Sequence, residues 1–234
     1  MKVNEKLMQN LISAVDWERV NNSDTFSTWE DGEVTNYLDI ELFNSDNGVS
    51  KLVLIPLDSK ERFVIKIPYR NLWDEDAYDE QEEEWGAYRE FEKAPFSGWD
   101  YCASEWVYYC IAKKKGLGEF FPKTTLYKEH PYPIYCQEKC LPFWKITTHT
   151  KTEEKAKEKT REIAAAASES QKDWIKVFDS NWVSDAIDWY GKEAFLKFTQ
   201  FLVDYNITDL HNSNYGYIEE TLRPVLIDFS GFYD

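Results

Sequence analysis

Close to its C-terminal end the 234-residue chain reads TDLHNSNYGYIEETLRPVLIDFSG, residues 208–231. Asp209 and Asn214 stand five positions apart and Asp228 fourteen further on, around two short β-type runs, YGYI (215–218) and PVLID (224–228). If those runs pair as a hairpin across EETLR, with strands about 5 Å apart, the chain returns Asp228 to Asn214. Both then present hard oxygen atoms, which suit Mg2+, a cation that takes a few protein oxygens and completes its shell with water and phosphate. Asp209, one loop away, is placed to accept a proton from an attacking hydroxyl. Taken singly, each of the three also reads as a turn, cap or strand-end residue.

A second chemistry-bearing residue lies in RFVIKIPY (62–69). Lys66 is flanked by Ile65 and Ile67, so on a strand its side chain points opposite to two apolar neighbours. Alone, it reads as a lysine that lays its stem on the sheet and keeps its head in water.

These residues need elements to hold them. Helical spacing of Leu7, Leu11, Ile12 and Val15 predicts an amphipathic helix over 4–20. Three β-type runs follow, 36–43, 51–57 and 62–69, joined by the turn formers NSDNGVS and DSKE, so three consecutive antiparallel strands are expected. The segment 73–93 is very acidic and reads as a solvated helix or insertion, with a partner surface as its alternative. Residues 100–118 predict a helix with Trp106, Val107, Cys110 and Ile111 inward, ending at a Lys cluster and Gly116. Two more strands are expected at 120–129 and 132–140, and helices at 151–170, 181–191 and 192–206. A β-rich half followed by an α-rich half implies an α+β protein of two lobes with a cleft, divided as 1–140 and 141–234.

Composition narrows the function classes. Aromatic residues make up 17% of the chain, enough for thick cores. A net charge of −16, from 43 acids against 27 bases, repels phosphate backbones and argues against general nucleic-acid binding. The four cysteines make no C-x-x-C pair, and they read as reduced core thiols. With no leader-like or membrane-spanning apolar run, a cytoplasmic protein is expected.

The order of these features resembles the protein-kinase-like superfamily. DLHNSN…IDFSG looks like its D-x-x-x-x-N catalytic loop and D-F-G type metal segment, and the D-L-H start is nearer to aminoglycoside and other small-molecule phosphotransferases. The resemblance implies a two-lobed fold, with an antiparallel five-strand sheet and one main helix in the N-terminal lobe and a reduced, mostly helical C-terminal lobe. It implies an ATP- and Mg2+-dependent phosphotransferase, with Asp209 as base and Asn214 and Asp228 as metal ligands. His211 takes the place where protein kinases carry a lysine near the γ-phosphate. FVIK resembles the strand lysine of that family, and Glu105 on the following helix is then its ion-pair partner, with Glu90 and Glu92 as rivals. Gly48 and Ser50 fall where the phosphate loop belongs, although a single glycine replaces the G-x-G-x-x-G cradle. Glu138 and Cys140 fall where main-chain groups of a hinge hold adenine.

The sequence also departs from that pattern. Ile207 stands where the H-R-D histidine belongs, and the sequence ends six residues after Asp228, so no activation segment is expected. An acceptor site would be built from residues 141–206 or brought by a partner chain. The acceptor itself, protein or small molecule, is left open. The alternative function is an inactive pseudokinase that binds nucleotide as an interaction module. An acidic DNA mimic would explain the charge but leave the ordered motifs unexplained.

Overall fold

The computed structural model describes residues 2–22, 43–47, 51–68, 101–128, 132–148 and 151–229. Within them the protein is α+β with antiparallel sheets. It forms two compact units. One holds the described residues up to Val107 together with Thr124–Glu138, and the other holds Tyr108–Lys123 with the described residues from Lys139 onward. The sequence reading keeps 108–123 with the N-terminal part; the structure groups that stretch with the C-terminal part. No described helix is long and apolar enough to cross a membrane.

The first unit begins with α1 (Glu5–Ala14), capped by the Asn4 side chain, and α2 (Trp17–Asn22). The single helix expected over 4–20 is thus broken at Val15, which is extended. A five-stranded sheet follows, built from β1 (Phe43–Asn47), β2 (Lys51–Pro56), β3 (Phe63–Pro68), β4 (Thr124–Lys128) and β5 (Ile134–Glu138), in the order β1-β2-β3-β5-β4 with every pair antiparallel. The expected first strand shifts: β1 uses Asn44–Asn47, read from the sequence as turn, and 36–42 lie outside the described residues. Pairing with β2 overrides the turn preference of those Asn, Ser and Asp residues.

Register assigns the two faces of this sheet. Leu52, Leu54, Phe63, Ile65, Ile67, Ile134 and Cys136 are buried together with Met8, Leu11, Val15 and Val20 of the N-terminal segment. The other face carries Lys51, Lys66, Tyr135, Gln137 and Thr124, and Cys102 and Ala103 of helix α3 (Tyr101–Lys114) pack on Tyr135. The acidic segment 73–93, with Glu90 and Glu92, lies outside the described residues.

The second unit contains β6 (Cys140–Pro142), α4 (Glu153–Ala166), α5 (Glu169–Val177), α6 (Ser180–Tyr190), α7 (Lys192–Asp204), β7 (Tyr215–Ile218) and β8 (Pro224–Leu226). The expected helix over 151–170 ends at Ala166. A separate α5 starts behind a capping box in which Ser168 and Gln171 satisfy one another's backbone amides. The helices converge on an aromatic core in which Phe120 stacks on Phe198 and Phe178 on Trp182. The hairpin β7–β8 forms as expected. Its third strand does not follow the sequence reading: Cys140 leaves the first sheet and pairs with Ile218. Gly216 permits that pairing, because a Cβ there would sit on the Leu141 carbonyl oxygen.

Candidate functional site

In the first unit the site is a buried polar cluster on one sheet face. Val53 pairs with Lys66 and Lys51 with Pro68, so Lys51 and Lys66 are diagonal neighbours on the same face, within reach of one another for long side chains. Helix α3 sets Glu105 over them. Lys66 Nζ donates to Glu105 Oε2 at 2.5 Å, and Lys51 Nζ donates to Glu105 Oε1. Gln137 Nε2 completes the frame, donating to Glu105 Oε2 at 3.1 Å and to Thr124 Oγ1 at 3.3 Å. Glu105 is fully buried, and both lysines are 4% exposed. A buried carboxylate of this kind is stable only while its hydrogen-bond partners are in place.

The opposite face of the same strands packs an apolar cluster that includes Leu52, Leu54, Phe63, Ile65 and Cys136. There burial pushes the Cys136 thiol up to about 12, with the Glu5 carboxylate adding to the effect.

In the second unit the loop before β7 gathers the second set. Asn214 Nδ2 donates to both the main-chain oxygen and Oδ2 of Asp209, each at 2.9 Å. Asp209 Oδ1 lies 3.6 Å from His211 Nε2, and the His211 side chain is exposed. The Asn214 carbonyl accepts from the amides of Ile227 at 2.6 Å and Asp228 at 3.1 Å, so the hairpin does return Asp228 to Asn214. The loop is braced from behind. Ile207 is buried, and its carbonyl accepts from the Trp174 indole at 2.7 Å, so an apolar side chain and a tryptophan fix the start of the loop.

The donor chemistry of this loop fits Mg2+. With Nδ2 of Asn214 committed to Asp209, its Oδ1 is the available ligand atom, and Asp228 adds a carboxylate, both hard oxygen donors. Among the described residues no three His, Cys, Asp or Glu side chains gather as a metal centre.

The structure therefore brings Lys66 to Glu105, and Asp209, His211, Asn214 and Asp228 to one hairpin end. Glu138 and Cys140 fall in different sheets, Glu138 opposite Phe63 and Cys140 opposite Ile218. Gly48 and Ser50 lie outside the described residues. Three members of the buried cluster escape the sequence reading: Lys51, Gln137 and Thr124. For Lys51 the signal was present, since counting outward from the turn at Ser59–Lys60 places it diagonal to Lys66.

A cavity of about 540 Å3 in the second unit is lined by Lys145, Thr147, Asp185, Trp189, Tyr217 and Leu222, among others. Tyr217 donates its hydroxyl to Asp185 at 2.9 Å, and burial, then the Asp185 charge, raise its pKa. Compared with protein-family models, curated proteins and solved structures, the chain matches none of them.

Proposed function

We propose that this protein is a magnesium nucleotide-dependent phosphotransferase of the protein-kinase-like kind, acting on a hydroxyl acceptor. The observation that carries the reading is the buried pair of Lys66 and Glu105, joined at 2.5 Å from a strand and a helix 39 positions apart. A kinase-like fold belongs to the same proposal. Its support is a five-stranded antiparallel sheet with a helix before the fourth strand, then helices, then a hairpin that bounds Asn214 and Asp228.

On this reading Lys66, oriented by Glu105, contacts the α- and β-phosphates of ATP. Main-chain groups at Glu138 and Cys140 hold the adenine. Asn214 and Asp228 would hold Mg2+, which when bound neutralises phosphate charge. Asp209 accepts the proton of the acceptor hydroxyl as its oxygen bonds to the γ-phosphorus and ADP departs with the electrons of the broken P–O bond. Asn214 keeps the Asp209 carboxylate aimed by holding Oδ2, and His211 stands beside Oδ1. The acceptor falls to residues of the second unit, where the cavity around Trp189 and Tyr217 is one place that could receive it.

The experiment is phosphate transfer from γ-labelled ATP with Mg2+, run beside nucleotide binding. Asp209→Ala is expected to keep binding and to lower transfer by about 10²–10⁴-fold, the usual share of a general base. Unchanged transfer by this variant would remove Asp209 from that role. Binding with no transfer by the wild-type chain, to itself or to any acceptor, would favour a nucleotide-binding interaction module instead.

A further inference from the structure

We propose that the cavity of about 540 Å3 in the second unit binds a neutral sugar ring, packed on Trp189 and hydrogen-bonded through its hydroxyls to Asp185 and Asp188. The inference goes beyond the phosphotransferase reading, needs no nucleotide, and stands or falls separately from it.

Part of the lining is apolar and open to water. Trp189 is 52% exposed and Leu222 58%, and both line the cavity. Leu222 has a φ of 56°, in the left-handed region where Gly or Asn sits at lower cost. Folding gains little from an exposed leucine held there, and such a cost is kept where a site needs it.

The polar part of the lining is fixed in place. Tyr217, on β7, donates to Asp185 Oδ2 at 2.9 Å, and Lys151 donates to Asp185 Oδ1 at 2.7 Å. Lys151 also pairs with Asp188 at 2.5 Å, and Lys159 pairs with Asp188 as well. Carboxylates held in this way lose little freedom when a ligand arrives. Each carboxylate accepts up to about four hydrogen bonds, so the two suit a ligand that brings several O–H donors.

Charge and wetness then select the ligand class. The lining and its ion partners hold Lys145, Lys151 and Lys159 against the two aspartates, so nothing there calls for a cation, and an amino sugar is disfavoured. A wholly apolar ligand would strip water from the carboxylates without replacing it. A neutral sugar offers both surfaces required, a C–H face for the indole and hydroxyls for the acids.

The test is binding of the full chain, without nucleotide, to a glycan array of neutral, amino and acidic sugars, followed by saturation-transfer NMR titration of those retained. Neutral sugars are expected to bind, and Trp189→Ala, at an exposed position that leaves the core intact, is expected to weaken them by about tenfold or more. Leu222→Gly relieves the backbone, so it is expected to unfold in urea no earlier than the wild type and still to bind the sugar less tightly. No neutral sugar bound, a preference for amino sugars, or affinity unchanged by Trp189→Ala would each overturn the inference. Failure of the chain to bind Mg·ATP would overturn the phosphotransferase reading and leave this one standing.

Discussion

The two faces of the five-stranded sheet are made by the same strands, yet they carry opposite chemistry. On β3, Phe63, Ile65 and Ile67 enter the apolar core under α1, while Lys66 enters the polar cluster under α3. On β5, Ile134 and Cys136 go one way and Tyr135 and Gln137 the other. Burial of the first face stabilises the fold at roughly 25 cal/mol per Å2 of apolar surface. Burial of the second takes three ionised groups out of water, and ion pairing in such a place repays the desolvation only in part. The first face accounts for why the unit folds. The second is poorly explained by folding, which is why we read it as a place for a ligand.

The largest effects separate the faces. Phe63→Ala empties part of a packed core and is expected to lose about 3–5 kcal/mol. Glu105→Ala leaves two buried ammonium groups without their shared carboxylate and is expected to lose a similar amount, about 3–5 kcal/mol. Urea unfolding reads both. A much smaller loss for Glu105→Ala would mean that water reaches the cluster and that it is not buried in solution.

A middle-sized effect tests the dryness of the apolar face. The Cys136 thiol rises from 9.0 to about 12 in the folded chain, through burial first and Glu5 second. Its contribution to stability is full below about pH 9 and is lost as pH rises through the folded value, because the unfolded thiol ionises first. Cys136→Val should remove that part of the alkaline decline, on the order of 1 kcal/mol per unit of pH. Tyr127, pushed up to about 12 by its hydrogen bond to Glu5, acts in the same direction, so the difference between variant and wild type is the readout. Identical alkaline profiles would mean that Cys136 is hydrated.

The smallest effect comes from an exposed counterpart of the buried cluster. Asp188 pairs with Lys151 at 2.5 Å and with Lys159, but its side chain is half exposed. Hydrogen bonds from those lysines lower its pKa. Asp188→Asn is expected to change stability by less than about 1 kcal/mol, since water and salt screen such pairs. A loss as large as that of Glu105→Ala would show that burial is not what makes the inner cluster costly to break.

How much of this was legible in the sequence depends on range. The alternation around Lys66, the turn-bounded runs of β2 and β3 and the return of Asp228 to Asn214 follow from period-two spacing and short hairpins. Glu105 was placed by its helix and by the family resemblance together. What escaped depends on longer-range pairing. Lys51 looks like a strand-end lysine until the β2–β3 register is known, and Gln137 looks like a surface amide until β5 is found beside β3. β6 was missed because CLP has no alternation to read; it exists because Gly216 lets the Leu141–Phe143 backbone approach. α5 was missed because SESQKDWIKV is mostly polar, and its capping box was taken as the tail of the preceding helix.

The central claim is that the polar face exists to hold a nucleotide polyphosphate. Calorimetric titration with Mg·ATP tests it most directly, run on the wild type and on a variant whose second face is made apolar like the first, Lys51→Met with Glu105→Leu and Lys66→Met. The variant is expected to be as stable as the wild type, or more stable by about 1–4 kcal/mol, and to bind no Mg·ATP, while the wild type binds it. Equal binding by the two proteins, or no binding by a well-folded wild type, would contradict the account.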